Sequence, residues 1–197
     1  MRTRVASTAF DELDAGGALR RLYGSDALLE LVRKVTNATV FRLEDPLGAA
    51  SINVFEPGWE HAWHYDEAEF TVTLSLQRGD SGGDFEFTTP LRSTRADLAP
   101  TATAAVVNAH SQYDVLPRRP HDDANDGDEP PAARVAPFAP GTLQIFAGRY
   151  SFHRVSPVVG ATTRLVAVFC FANEPGFVNT PDVQEMFWGR AVPAPPS

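Results

Sequence analysis

The chain has 197 residues, is 43% hydrophobic, and carries a formal net charge of −8 from 17 basic and 25 acidic side chains. This length allows one domain with a substantial buried core, and we expect residues 1–197 to form a single domain. The acidic balance lacks the basic footprint of nucleic-acid-binding proteins, so we expect no nucleic-acid partner.

Two further features concern the compartment of the protein. Cys170 is the only cysteine in the sequence, so no intrachain disulfide can form. The longest strongly apolar run, residues 165–172, is too short to span a bilayer. Residues 1–4 are not followed by the apolar stretch of a secretion signal. We therefore expect a cytoplasmic protein without a membrane partner; the sequence does not indicate an oligomeric state.

The first part of the chain, residues 1–37, has the pattern of peripheral helices. Ser25 and Asp26 can cap a helix that runs through Lys34. Apolar residues at positions 28, 29, 31, 32 and 35 form one stripe of that helix. We expect it to cover one face of a sheet.

From Thr39 onward the sequence shows the alternation and turn residues of short β-strands. The clearest strand is 70–77, in which apolar and polar residues alternate strictly. Further strands are expected at 40–43, 51–55, 84–88, 142–146, 150–156 and 162–171. Several short strands at even spacing predict a mainly β fold, either an antiparallel barrel or a double-sheet roll.

Residues 90–139 interrupt this strand pattern. Residues 117–140 are rich in Pro, Asp and Ala, and 121–129 alone carry five acids and no base. We expect a flexible acidic loop at about 117–140, most simply a solvated one. A lid over the functional site is the alternative.

The segment Trp63-His64-Tyr65-Asp66 carries the strongest chemical signal in the sequence. Side chains two residues apart on an extended strand point to the same face, so His64 and Asp66 lie side by side. Two histidines and one carboxylate, with open positions opposite them, form the facial triad of non-haem Fe(II) oxygenases. His153, in the predicted strand 150–156, is the candidate third ligand.

Arg164 lies 11 residues after His153, and the midpoint falls in Pro157-Val158-Val159-Gly160, a plausible hairpin turn. We therefore predict that Arg164 and His153 face each other on neighbouring strands, with Cβ atoms about 5 Å apart. Arg164 shares its predicted face with small or apolar residues, so its buried charge needs a partner. The far carboxylate of a small 2-oxo acid that chelates the metal suits the planar guanidinium, and dioxygen takes the last metal position.

These segments together resemble the Fe(II)/2-oxoglutarate-dependent oxygenases and, within them, the small group of free-amino-acid hydroxylases and halogenases. The resemblance covers roughly Gly58 to Trp188, apart from the 90–139 insert. Its motifs are Trp63-His64-x-Asp66, 69–74, Gly82-Gly83-Asp84-Phe85-Glu86, 140–143, Gly148-Arg149, and His153-Arg154-Val155-x-Pro157-x-x-Gly160 through Arg164.

The resemblance implies a fold, a ligand set and cofactors. The implied fold is a double-stranded β-helix, a jelly-roll or cupin-like architecture, with flanking N-terminal helices. The implied cofactors are Fe(II), 2-oxoglutarate and O2. His64, Asp66 and His153 would hold the iron, and Arg164 would hold 2-oxoglutarate.

Asp66 bears on the reaction that this resemblance implies. The related halogenases have Gly or Ala in place of the carboxylate ligand, which frees a metal position for chloride. Because Asp66 is present, we expect hydroxylation of an unactivated C–H bond rather than halogenation. Desaturation or cyclisation by the same cofactors is an alternative, and a non-catalytic cupin-like binding protein for a metal or small molecule is an alternative of another class.

The same resemblance suggests a small amino-acid-like substrate, with a basic side chain as one option. His61 matches a histidine that contacts the substrate's backbone groups, and Glu67 matches an acid that faces the substrate's amine. Trp188 lies near the position of a substrate-contacting tryptophan. Each has a structural alternative: a surface histidine, a solvated acid, and a core or lid aromatic.

Overall fold

Two antiparallel β-sheets pack against each other in the computed structural model, which describes residues 3–88 and 133–193. The larger sheet has the order β1 (Ala6–Thr8), β3 (Ala50–Phe55), β12 (Arg164–Ala172), β5 (Phe70–Gln77) and β9 (Leu143–Phe146), with β2 (Phe41–Arg42) also paired to β12. The smaller sheet has the order β4 (His61–His64), β10 (His153–Val155), β7 (Phe85–Phe87) and β8 (Arg134–Ala136). A short pair, β6 (Ser81–Gly82) and β11 (Val158–Val159), completes the strands described. This arrangement confirms the predicted mainly β double-sheet fold.

The helices lie outside the sheets. A single 3₁₀ turn (Phe10–Glu12) precedes α1 (Ala18–Gly24) and α2 (Asp26–Thr36), and α3 (Pro181–Trp188) follows the last strand. The predicted helix at 25–34 corresponds to α2, although Ser25 makes no side-chain capping bond. Within the described ranges, no helix combines the length and apolar character needed to cross a bilayer.

The outer face of the larger sheet carries the main hydrophobic core. The alternating strand β5 turns Val72 to this face, where it is fully buried and lies opposite Phe169 of β12. Leu28 and Val32 of α2 join the same cluster. The helices therefore cover one face of the sheet, as predicted. Of the predicted stripe, Leu28, Leu29 and Val32 are buried, whereas Leu31 and Val35 are exposed.

The inner face of the larger sheet, which faces the smaller sheet, is mostly polar. Directly paired residues of antiparallel strands share a face, and the pairs place Thr71, Thr73 and Ser75 of β5 on the inner side. All three are buried, with exposed fractions of 2%, 8% and 2%. A buried polar surface of this kind suits a bound polar molecule better than a packed core.

Three expectations about secondary structure were wrong. Residues 6–8, expected to be helical, form the edge strand β1. Residues 134–136, expected within the acidic loop, form β8 and pair with β7; the rest of that predicted loop up to residue 132 lies outside the described residues. Residues 158–159 are not a hairpin turn, because they form β11 and pair with β6.

The C-terminal helix α3 is fixed by one buried carboxylate. Asp45 Oδ1 accepts hydrogen bonds from the backbone N–H groups of Leu47 and Gly48, both at 2.8 Å, and from Gln184 Nε2 at 3.2 Å. Its Oδ2 accepts from the backbone N–H of Asn179 at 2.8 Å. Asp45 thereby holds α3, and with it Trp188, against the 45–48 turn.

Candidate metal centre

His64, Asp66 and His153 come together beside the smaller sheet. The pairing of β10 with β4 places His153 directly opposite His64, with ring centroids 4.2 Å apart. Asp66 lies two residues beyond the end of β4, and its Oδ1 is 3.5 Å from His64 Nε2 and 3.3 Å from His153 Nε2. The three ligand atoms lie within 4.8 Å of one another, a spacing that one metal ion can bridge.

The imidazole tautomers suit metal binding. His64 Nδ1 lies 2.8 Å from the carbonyl oxygen of Ala62, and His153 Nδ1 lies 2.8 Å from that of Ser151. A carbonyl oxygen only accepts, so each Nδ1 carries the proton and donates it. Nε2 of each ring then faces the centre of the cluster, where its lone pair would be available to a metal ion.

Two neighbours fix the carboxylate of Asp66. Thr71 Oγ1 donates a hydrogen bond to Asp66 Oδ2, and the Asp66 backbone N–H donates to the Gly148 carbonyl at 3.1 Å. A Cβ atom at Gly148 would lie 2.0 Å from Asp66 Oδ2, so only glycine leaves space for this carboxylate position. Oδ1 is left to face the two histidines.

The protonation states also match those of metal ligands. Burial lowers the pKa of His64 below its usual 6.5, and the nearby His153 lowers it further. Burial by itself would raise the pKa of Asp66, but interaction with His153 and His64 holds it well below 3.8. His64 is therefore neutral and Asp66 ionised at neutral pH, as metal binding requires.

Arg164 is a buried cation, only 2% exposed. Its Nε and Nη1 have no hydrogen-bond partner among residues 3–88 and 133–193. The guanidinium carbon lies 3.7 Å from the ring centroid of Phe138 and 5.0 Å from that of Phe55. Burial lowers the pKa of Arg164 to about 9, although the charge of Asp84 opposes this. An anionic ligand would supply acceptors for these guanidinium donors and would balance their buried charge.

Arg164 and the histidine cluster border the same part of the interior. A Cβ at Gly83 would lie 2.8 Å from Arg164 Cδ, and the ring of Phe85, two residues later, lies 5.5 Å from that of His153. Two residues of extended chain span roughly 7 Å. The predicted direct pairing of Arg164 with His153 was wrong, however, since Arg164 belongs to the larger sheet and pairs with Phe55. The two residues approach from opposite sheets instead.

Ser75 is a buried donor that the sequence reasoning missed. It pairs with Val166, the next inward-facing residue after Arg164 on β12, and its Oγ has no hydrogen-bond partner among the described residues. The polar residues at every second position of the strand 70–77 were the sequence feature that could have indicated Ser75. Together, Ser75 Oγ and the Arg164 guanidinium suit a carboxylate such as that of 2-oxoglutarate, and the His-Asp-His donor set suits Fe(II).

The three predicted substrate residues lie in different surroundings. His61 is buried, and its ring stacks on that of the cluster residue His64, with centroids 3.7 Å apart. Glu67 has a 26% exposed side chain, 3.9 Å from Arg149 Nη2. Trp188 lies at the end of α3 with its ring against Gly48, and its buried Nε1–H has no partner within the described part of the chain.

A buried ion pair supports the segment that follows Asp66. Arg149 Nε lies 3.3 Å from Glu69 Oε1, and their side chains are 8% and 1% exposed. Arg149 directly follows Gly148, whose carbonyl holds Asp66. The pair therefore ties together the two segments that shape the carboxylate side of the cluster.

Comparison with known proteins gives a fold but no sequence family. No protein-family model matches the sequence, and no curated protein matches it. Solved structures that share the fold include a 2-oxoglutarate–Fe(II) oxygenase family oxidoreductase from Burkholderia pseudomallei (TM-score 0.52, 17% identity, 84% of this chain and 59% of that chain). The chain thus spans about three fifths of that protein.

Two Streptomyces structures are similar to a comparable degree. AviO1 from Streptomyces viridochromogenes Tue57 has a TM-score of 0.53 at 15% identity, covering 99% of this chain and 72% of that chain. HygX from Streptomyces hygroscopicus, solved with nickel, 2-oxoglutarate and hygromycin B bound, has a TM-score of 0.51 at 13% identity, covering 86% and 70%. The chain therefore has the double-stranded β-helix fold found in 2-oxoglutarate–Fe(II) oxygenases, and this fold brings together a His-Asp-His cluster that can hold a metal ion.

Proposed function

We propose that the protein is an Fe(II)/2-oxoglutarate-dependent dioxygenase that hydroxylates an unactivated C–H bond of a small amino-acid-like substrate. 2-Oxoglutarate would be converted to succinate and CO2 in the same turnover. The observation that carries this proposal is the buried guanidinium of Arg164, which borders the same interior between the two sheets as the His-Asp-His cluster. Its Nε and Nη1 donors lack partners within the described residues. A purely structural role would not require a cation there.

The division of work among the residues follows from their positions. His64, Asp66 and His153 would hold Fe(II), which supplies the activation of dioxygen that no side chain provides. Arg164 would bind the far carboxylate of 2-oxoglutarate through its guanidinium N–H groups, of which Nε and Nη1 lack partners within the described residues, with Ser75 Oγ as a further donor. The rings of Phe138 and Phe55 exclude water around this ion pair, which strengthens it.

Hydroxylation is favoured over halogenation by the presence of Asp66. Its carboxylate already faces both histidines and would occupy the metal position that a halide needs. Desaturation or cyclisation with the same cofactors remains a second outcome for the same site, because it depends on how the substrate is placed.

The proposal of an amino-acid-like substrate is based on three side chains. His61 would contact the substrate's backbone groups, Glu67 a substrate amine, and Trp188 would donate from its indole N–H. Glu67 offers a partly exposed carboxylate next to Asp66 in the chain, and the buried Trp188 Nε1–H lacks a partner within the described residues. Hygromycin B, bound in HygX, provides a second type of small molecule to test.

A non-catalytic binding protein is the competing function of another class. Such a protein would bind a metal or small molecule without consuming 2-oxoglutarate. The His-Asp-His cluster can hold a metal ion and the buried Arg164 can bind a carboxylate, and the presence of both argues against a non-catalytic function. Turnover measurements separate the two functions directly.

The deciding experiment measures succinate formation. Purified protein is mixed with Fe(II) and 2-oxoglutarate under air, with pools of free amino acids, amine-containing small molecules and hygromycin B, and succinate is followed by mass spectrometry. Substrate-stimulated succinate with a product heavier by one oxygen is expected. A product lighter by two hydrogens would assign desaturation or cyclisation, and binding of Fe(II) and 2-oxoglutarate without turnover by any pool would contradict the proposed substrate class. Failure to bind iron would refute the proposed function.

A further inference from the structure

We infer that Thr71 is a positioning residue that restricts Asp66 to binding the metal through Oδ1 alone. This inference rests on the proposed metal site. Thr71 lies on the inner face of β5, is 2% exposed, and donates its hydroxyl hydrogen to Asp66 Oδ2. The oxygen that accepts this bond is not the one nearest the histidines, since Oδ1 lies 3.5 Å from His64 Nε2 and 3.3 Å from His153 Nε2.

Gly148 limits the carboxylate from another direction. Its carbonyl accepts the Asp66 backbone N–H at 3.1 Å, and a Cβ there would lie 2.0 Å from Oδ2. Asp66 Oδ2 is thus held between the hydroxyl of Thr71 and the backbone at Gly148. Because one lone pair of Oδ2 accepts the hydrogen bond from Thr71, and the backbone at Gly148 limits its movement, Oδ2 is less available as a second metal ligand.

Binding through one carboxylate oxygen matters because a metal ion has a limited number of coordination positions. An octahedral ion held by three single-atom ligands keeps open positions for a chelating co-substrate and a gas molecule. A carboxylate bound through both oxygens would occupy one of them. A side chain that fixes a metal ligand in this way changes metal affinity by about 10–100-fold when it is removed.

Thr73 provides a matched control on the same strand. It is also buried on the inner face, but its hydroxyl donates to Gln144 Oε1 at 3.1 Å and not to the cluster. Thr71→Val and Thr73→Val therefore each replace a buried hydroxyl group on the inner face of β5 with a methyl group. Only the first of them should affect the metal.

The test measures binding of Co(II) alone, without 2-oxoglutarate or substrate, from its visible absorption. Thr71→Val should change the affinity for Co(II) by about tenfold or more and change the absorption spectrum, whereas Thr71→Ser should retain both properties of the wild type. Thr73→Val should bind within about twofold of wild type. Circular dichroism checks folding, and Thr71→Ala replaces Thr71→Val if the valine variant does not fold.

The outcomes separate this inference from the proposed function. Wild-type protein that takes up no Co(II) would overturn both. Wild-type binding, together with an unchanged affinity and spectrum in Thr71→Val, would overturn the role of Thr71 and leave the metal site intact. An equal change in Thr73→Val would also overturn it, because the effect would then follow from any lost buried hydroxyl.

Discussion

The guanidinium carbon of Arg164 lies 3.7 Å from the ring centroid of Phe138, stacked against an aromatic face in the interior between the two sheets. A ring face attracts a cation but accepts no conventional hydrogen bond from it. The contact therefore holds the head group in place and leaves its Nε and Nη1 donors for a ligand. Burial of this cation without a bound anion lowers the stability of the folded protein.

Replacing this cation should separate stability from ligand binding. We expect Arg164→Met to weaken 2-oxoglutarate binding at least tenfold, while the free protein stays as stable or gains about 1 kcal/mol, since removing a buried ion often stabilises. Thermal unfolding and 2-oxoglutarate titration with Fe(II) under anaerobic conditions measure the two effects. A variant that loses stability and keeps its 2-oxoglutarate affinity would show that the cation is structural.

Removal of the carboxylate ligand should abolish oxygenation. In Asp66→Ala we expect substrate-dependent succinate to fall by about 100-fold or more, because one of the three proposed protein ligands is lost. Mass spectrometry of the product measures this loss. Wild-type turnover would rule out Asp66 as a ligand, whereas a chlorinated product in the presence of chloride would support the open-position argument.

The lowered pKa of His64 predicts a pH dependence of stability in the metal-free protein. Below its usual value of 6.5, the unfolded state takes up a proton that the folded state resists, so stability falls as the pH is lowered through this window. Asp66 does not contribute there, because its folded pKa lies well below 3.8 and its contribution is lost only at more acidic pH. Unfolding temperatures between pH 7.5 and 5.5 should fall less in His64→Gln. Identical slopes would contradict the assignment.

The buried pair of Arg149 and Glu69 should be sensitive to the loss of one partner. Arg149→Met removes the cation that lies 3.3 Å from the 1% exposed Glu69, and we expect a loss of about 3–5 kcal/mol. The double variant Arg149→Met/Glu69→Leu should recover part of it, because the charge that remains beside this position, Glu67, is 26% exposed and can be solvated. Urea unfolding of the three variants measures the coupling. Additive losses would mean that the two side chains act independently.

The space at Gly148 should be essential for the metal. In Gly148→Ala the new Cβ would lie 2.0 Å from Asp66 Oδ2, so we expect the carboxylate to move and Co(II) binding to weaken by about tenfold or more. Gly24→Ala is the matched control, since a Cβ there has no heavy atom within 4 Å. Equal Co(II) affinities in the two variants would show that the carboxylate adapts.

Local features of the fold and site could be predicted because backbone geometry alone determines them. The strict alternation of residues 70–77 predicts a strand, and β5 has these bounds. The His64-x-Asp66 spacing predicts that the two side chains lie together, and His64 Nε2 and Asp66 Oδ1 are 3.5 Å apart, although the strand ends at His64 and Asp66 lies beyond it. Short elements such as β1 and β8 were missed because three residues carry too little periodicity.

The sequence by itself determined the two faces of β5, since a period of two residues fixes the faces of a strand. Only the tertiary structure decided how distant strands pair. Arg164 and His153 meet from opposite sheets, not across a hairpin, because β12 joins β3 and β5 while β10 joins β4 and β7. The supporting contacts of Thr71, Ser75 and Gly148 depend on that pairing, and no spacing along the chain encodes it.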